Sequence, residues 1–264
     1  MPFPLHSEET KFNARDNLIS LGVGLCGGAF GGLVGLGGGI VMVPMLTAFL
    51  GLTQHKAHGT SLAALVFTGI AGATAYWLGG RVDLVAAALI SAPTIFTAHS
   101  GAKYANRLSE NRLKRYFGFF MVFISAMLLL KEHLPSAVAG GLFEKYTVLV
   151  LAGGATGFIS GMMGVGGGSM MVPAMVLLAG MGQHVAQGTS LLAMVPAGIS
   201  GTRTHWKFGN VGTGLIPGLL FGVVIGSFLG GTIAILFDER ILRTILAVTL
   251  ALYGSRYLKT NGNS

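Results

Sequence analysis

An apolar chain that repeats its own helix breakers at a fixed interval has few ways to fold. Residues 28–70 read GAFGGLVGLGGGIVMVPMLTAFLGLTQHKAHGTSLAALVFTGI, and residues 157–199 read GFISGMMGVGGGSMMVPAMVLLAGMGQHVAQGTSLLAMVPAGI. The offset is 129 residues, close to half of the positions agree without a gap, and the register continues to Trp77/Trp206, Gly80/Gly209 and Gly101/Gly230. Such a duplication means two copies of one structural unit. The best-kept pieces are a glycine triplet, a proline and a Gly-Thr-Ser step. Glycine and proline interrupt helices and uncover backbone groups.

The chain belongs in a bilayer. Of its 264 residues 52% are hydrophobic and only 10% charged, and the mean hydropathy is +0.70. A soluble domain carries about 25% charged residues, and several apolar runs here exceed the ~20 residues that span the hydrocarbon as a helix. The polar start SEETKFNARDN holds no signal-peptide core, so the run from Leu18 is expected to be a retained helix. The single cysteine, Cys26, excludes an internal disulfide framework and a cysteine metal cluster, and reads as a buried small side chain. The net charge of +8 sits at the ends of apolar runs, where it sets topology rather than binding nucleic acid.

The apolar runs are 18–51, broken at Gly35, Gly37 to Gly39 and Pro44, then 59–79, 84–106 and 113–130. The second half repeats the plan: 146–180, broken at Gly164, Gly166 to Gly168 and Pro173, then 188–206, 211–237 and 241–258. This gives repeat 1 over 18–130, a linker over 131–145 and repeat 2 over 146–258, flanked by segments 1–17 and 259–264. If each broken run is a hairpin returning to its own side, three single crossings per half invert the second half. Twelve Lys and Arg residues then lie inside and five outside, against ten and seven for two halves of the same orientation. The positive-inside bias therefore favours an all-α polytopic protein of two inverted-topology repeats, each a glycine-broken helical hairpin plus three transmembrane helices. Both termini are then cytoplasmic.

Three consecutive glycines cost roughly 1 kcal/mol each relative to alanine in a helix. Unwound backbone is also not tolerated against lipid. Gly37, Gly38 and Gly39, and Gly166, Gly167 and Gly168, are therefore expected in the interior at the tips of broken helices. There the free N–H groups and positive dipole end of the following helix favour an anion. Close packing of small residues is the competing reading, and for Gly28, Gly32 and Gly35 the favoured one. Ile40 follows the first triplet and Ser169 the second, so a site there is chemically lopsided.

The second repeated element is Gln54, His55, Gly59, Thr60 and Ser61, matched by Gln183, His184, Gly188, Thr189 and Ser190. Its hydroxyls are either helix N-caps or oxyanion ligands. Inversion puts the two steps on opposite faces unless the short helix after each triplet ends within the membrane. All nine acidic residues lie in termini, connectors or helix ends, so neither a carboxylate proton relay nor a counter-charge for a cation is evident. Backbone N–H groups and hydroxyls suit an anion. His99 and Arg203 are further candidate contacts, although a helix-end histidine and an interfacial anchor are the favoured readings. Trp77 and Trp206 read as interfacial belt residues. No metal and no cofactor is expected.

The doubled pattern Gly-x-Gly-Gly-Gly, then proline five residues on, then Gly-Thr-Ser-Leu, occurs at Gly35–Gly39, Pro44 and Gly59–Leu62, and at Gly164–Gly168, Pro173 and Gly188–Leu191. It resembles the TauE/SafE sulfite exporter family, also called the toluene sulfonate uptake permeases. The resemblance implies a bacterial inner-membrane permease for sulfite, sulfoacetate or other organosulfonates. With the cell interior negative, each charge exported gains ~2.3 kcal/mol per 100 mV, so export needs no carboxylate engine. The alternatives are an anion channel, or an uptake permease for another small oxyanion or carboxylate. An intramembrane serine hydrolase using Ser169 and His205 is disfavoured, because Ile40 stands at the equivalent position. The expected partners are the small anion and membrane lipid, not nucleic acid, and the oligomeric state, a homodimer included, stays open.

Overall fold

The structure, a computed structural model, describes residues 13–105, 110–131, 141–163 and 167–259. Ten α-helices and one short 3-10 turn (Thr213–Leu215) account for nearly all of the described residues, which contain no strand. In the first half these are α1 (Ala14–Val34), α2 (Gly39–Leu50), α3 (Gln54–Leu78), α4 (Leu84–Ala105) and α5 (Glu110–Leu129). In the second they are α6 (Leu142–Met163), α7 (Gly168–Leu177), α8 (Gln183–Lys207), α9 (Ile216–Leu236) and α10 (Glu239–Lys259). Each half thus runs long, short, long, long, long. The 18–51 run divides where the glycines are, but α1 starts four residues earlier, at Ala14. There Asn13 forms a reciprocal cap with Asp16, whose carboxylate takes the Asn13 amide at 2.9 Å.

Small residues decide the packing. Gly218, Gly222, Gly226 and Gly230 of α9 press on the backbone of Asn17, Leu21, Leu25 and Ala29 of α1, while Gly24, Gly28 and Gly32 press back on Leu219, Val223 and Ser227. The pairs advance in step, so α1 and α9 run parallel at the close approach small-residue interfaces allow. The packing reading of Gly28 and Gly32 therefore agrees with their surroundings. The same arrangement joins α6 to α4: Gly153 meets Ile90 and Pro93, Gly157 meets Thr94 and Thr97, and the Thr94 hydroxyl donates to the Gly153 carbonyl at 3.0 Å.

The long third helices cross at the centre. Gly59 of α3 meets His205 and the Asn210 carbonyl beyond α8, Gly69 meets Leu191 and Val195, and Gly188 meets Tyr76 and the Arg81 carbonyl. Numbers rise on one helix as they fall on the other, so α3 and α8 are antiparallel. The last helices behave alike: Ser125 of α5 donates to the Ala247 carbonyl at 2.7 Å, and Gly254 of α10 packs on Gly118. Exchanging the two halves maps each of these contacts onto its partner.

The burial pattern is that of a protein in lipid. Phe96, Phe143, Phe221, Leu236 and Leu252 face outward, whereas Thr60, Gln187, Thr189 and Ser190 are fully buried. Among the described residues three helices are long and apolar enough to cross a membrane by length and composition, spanning Ala14–Val34, His55–Leu78 and Thr213–Leu236, with shorter apolar helical stretches elsewhere. Trp77 and Trp206 are exposed near equivalent helix ends. Cys26 is exposed on α1, not buried as expected, because the face of α1 that packs on α9 and α2 is taken up by glycines.

Candidate functional site

Val34 ends α1, and the chain reverses through Gly35, Leu36, Gly37 and Gly38. Gly35, Gly37 and Gly38 have φ of 76°, 80° and 74°, the left-handed region that glycine alone enters at little cost. Gly38 is constrained twice, since a Cβ there would run into the Gly27 carbonyl oxygen. The Gly38 carbonyl then takes the Val41 and Met42 amides at 3.0 and 2.9 Å to open α2. In the second half the Gly167 carbonyl takes the Met170 and Met171 amides at 3.1 and 3.0 Å to open α7, but Gly167 has an ordinary helical φ of −73°. Gly164 and Gly166 lie outside the described residues.

The two tips meet. A Cβ on Gly168 would lie 2.8 Å from Leu36 Cα and 2.9 Å from both the Gly35 carbonyl oxygen and Met194 Sδ. Gly37 rests on Leu65 and Met194, which are equivalent positions of α3 and α8. The opening turns of α2 and α7, each with amides that no intrahelical carbonyl can reach, are thus brought to the α3–α8 crossing. The Tyr253 hydroxyl of α10 donates to the Ile40 carbonyl at 3.0 Å and steadies the first turn of α2. Ser169 is buried in the first turn of α7.

The Gly-Thr-Ser steps lie apart, at opposite ends of the α3–α8 pair, and neither starts a helix. Thr53 caps α3 and Gly182 precedes α8, so Thr60 and Thr189 sit two turns inside. The N-cap reading of these threonines fails because the helices begin at Gln54 and Gln183. Instead the Thr60 hydroxyl accepts the Gly212 amide at 2.9 Å and the Thr189 hydroxyl accepts the Asp83 amide at 3.0 Å. Positions 83 and 212 are themselves 129 apart, so each threonine ties down the same connector of the other half. Ser190 goes further and donates to the Gly35 carbonyl at 3.1 Å, so the second step touches the first glycine tip. The equivalent contact of Ser61, itself buried, falls on Gly164, outside the described residues.

Gln187 stands out beside this tip. It is fully buried against Gly35, its Oε1 accepts the Tyr76 hydroxyl at 2.9 Å, and its Nε2 has no partner among the described residues. Buried donors are almost always bonded, so a free amide N–H beside two helix openings is an unfilled valence for an acceptor. Neither Gln187 nor Tyr76 is kept between the repeats, which is why identity between the halves did not point to them. The usable signal was a polar residue in the same column of both halves, His58 opposite Gln187.

Other expected contacts lie elsewhere. His184 Nε2 faces the Ala234 and Phe237 carbonyls at 3.2 and 3.0 Å, and its Nδ1 lies 3.4 Å from Glu239, so it serves the end of α9. Gln183 is buried beside it with an unpartnered side-chain amide. His55 and Arg203 are exposed near one end of the bundle, and the side chains of Gln54 and His99 lie outside the described residues. The Glu239 carboxylate, on the first residue of α10, takes the backbone amides of Gln183 and His184. Burial raises its pKa, but those amides and the His184 ring outweigh burial and hold it below the usual 4.5. A depressed carboxylate stabilises the fold above its unfolded pKa, and that stabilisation is lost as pH falls through the folded value. Glu239→Gln is therefore expected to lower the melting midpoint in detergent by about 2–4 °C near neutrality. The deficit should fade as pH falls below the usual carboxylate range and through the lower folded value, as a thermal-shift series across pH would show.

A helical bundle of this composition, with paired broken helices meeting inside it, is a multi-pass membrane transporter. The chain belongs to the TauE/SafE sulfite exporter family, whose profile matches residues 19–257. It is 32% identical over 237 residues to a Bacillus subtilis protein named probable membrane transporter protein YunE, covering 80% of this chain and 87% of that one. It is 26% identical over 229 residues to probable membrane transporter protein YdhB of the same species, covering 84% and 92%. A Methanocaldococcus jannaschii protein named probable membrane transporter protein MJ0441 is 29% identical over 161 residues, covering 59% and 60%. No solved structure matches the chain at a significant level.

Proposed function

We propose that this transporter moves small sulfur-containing anions, sulfite or organosulfonates such as sulfoacetate, out of the cell across the cytoplasmic membrane. The observation that carries the reading is the meeting of two helix openings beside a fully buried amide donor, Gln187, which is unpartnered among the described residues. Backbone N–H groups, the Gln187 amide and the dipole ends of α2 and α7 form a neutral, donor-rich cradle. A sulfonate or sulfite, with three acceptor oxygens around one sulfur, matches several converging donors better than a carboxylate or a halide does.

The antiparallel course of α3 against α8 and of α5 against α10 supports an inverted relation between the halves. The basic-residue distribution supports cytoplasmic termini. Alternating access then follows from rocking the halves about the α3–α8 crossing, next to which the cradle lies.

The test is equilibrium binding of sulfite, sulfate, thiosulfate, sulfoacetate, acetate and chloride to the purified protein. Selective affinity for a sulfite or sulfonate over acetate and chloride is expected. Gln187→Leu should weaken it by about 10–150-fold, the worth of one hydrogen bond to a charged group, while the protein still elutes as a folded species. Folded protein that binds none of the six, or a Gln187→Leu variant with full affinity, overturns the assignment of the cradle.

A further inference from the structure

We propose that His58 and His205, with His55 beside them, form a proton-binding gate at one end of the α3–α8 pair, the titratable counterpart of a neutral Tyr76–Gln187 gate at the other end. The proposal goes beyond the anion reading and does not depend on which substrate is carried. Its basis is positional: adding the repeat offset of 129 carries His58 onto Gln187 and Tyr76 onto His205. The surroundings follow the same mapping. A Cβ on Gly188 would lie 2.6 Å from Tyr76 Cβ and close to the Arg81 carbonyl, and one on Gly59 would lie 3.1 Å from His205 Cβ and against the Asn210 carbonyl. Positions 81 and 210 are again 129 apart. The two ends are therefore the same joint built from different side chains.

At the Tyr76 end the phenol donates to the amide at 2.9 Å. Neither group changes charge between about pH 5 and 8. At the other end His58 lies within electrostatic reach of His205 and His55, and His205 Nδ1 is buried with no hydrogen-bonding partner among the described residues. Imidazole is the side chain that does change charge in this range. The charges carried by the elements packed there are mostly positive. α3 itself brings Lys56, α8 brings Arg203 and Lys207, and the head of α1 brings Arg15 and Asp16, while α2 and α9 bring none. On α5, Glu110 is the counterpart of Glu239, and its side chain lies outside the described residues.

Two neutral imidazoles can share one N–H between them and keep the joint closed. Protonating both places like charges together beside four further cations and one carboxylate, which drives the head of α3 away from the tail of α8. The proton comes from water at that end. On the topology proposed above that end is cytoplasmic, so acidification of the cytoplasm would open the inner side while the outer gate stays insensitive. His184, the titratable group near the Tyr76 end, faces two carbonyls and Glu239.

The experiment is amide hydrogen exchange on the full chain in lipid nanodiscs, near pH 8 and near pH 5.5, corrected for the intrinsic pH dependence of exchange. Peptides covering 54–61 and 203–212 should exchange about tenfold faster at the lower pH, while 76–83 and 187–191 stay within about twofold. The double swap His58→Gln with His205→Tyr writes the neutral gate into both ends and should abolish the response. The single variant His58→Gln, which asks less of the packing, should at least halve it. A wild type with equal protection at both pH values, or either variant with the full response, overturns the gate. Neither result touches the anion-binding assay.

Discussion

Gly168→Leu should abolish transport while the protein still inserts and elutes as a folded species. Gly168 has ordinary helical backbone at the first position of α7, so a side chain there meets no intrinsic strain. What it meets is the other tip, with Leu36 Cα at 2.8 Å and the Gly35 carbonyl oxygen at 2.9 Å from an ideal Cβ. Both are backbone and cannot swing aside as Met194 can. The tips must part by several tenths of an ångström for alanine and further for leucine, at a cost of about 1–3 kcal/mol of overpacking. A bundle of this size is expected to survive that. The cradle is not, since misplacing converging groups by about 1 Å costs on the order of 100-fold in function. Flux in proteoliposomes of whichever anion binds best is the measurement, with Gly168→Ala as the graded case. Undiminished flux through Gly168→Leu would remove the tips from the transport path.

Gly38→Ala should be far more damaging to stability than Gly167→Ala, although the two positions correspond in the repeat. At Gly38 a φ of 74° costs an L-residue about 1–2 kcal/mol, and the new methyl also collides with the Gly27 carbonyl, at about 1–3 kcal/mol more. Together these amount to roughly 2–5 kcal/mol, or about 4–20 °C in melting midpoint for a chain of this length. At Gly167 the φ is −73° and the nearest atom is the mobile Met171 Cε at 2.9 Å, so alanine is expected to cost less than about 1 kcal/mol. Thermal melts of the two variants side by side decide the matter, and equal losses would mean that both hairpins need the same left-handed turn.

These two variants also mark how far the sequence could be read. The glycine triplets announced two broken hairpins, because glycine acts locally on backbone torsion, and the helices break at the glycines. The breaks expected at Pro44 and Pro173 do not occur, since the prolines sit within α2 and α7, each near the helix start. The resemblance carried by the doubled pattern identified the family for the same reason. Tertiary partners were not legible. Thr60 and Thr189 have the composition of N-caps, yet their hydroxyls serve connectors of the opposite half, and nothing within a few residues of either announces that. The close approach of the tips likewise depends on a fold in which α1 lies on α9 and α6 on α4. Tyr76 and Gln187, and the histidines that replace them, differ between the halves, so the repeat does not single them out. The chemistry at that joint is in what the halves do not share.

The parallel contact between α1 and α9 has a consequence for synthesis. Asn17 meets Gly218 and Ala29 meets Gly230, a constant separation of 201 residues. At the usual elongation rate of about 5–20 residues per second, the glycine face of α1 waits roughly 10–40 s in the membrane before its partner emerges from the ribosome. Until then it has α2, a limited contact with α3 near Gly72, and lipid to lie against. The assembly is therefore non-local in a way that slows folding. A nascent chain halted before α9 should still be open to premature association through that face, or to capture by whatever membrane chaperone recognises small-residue stripes.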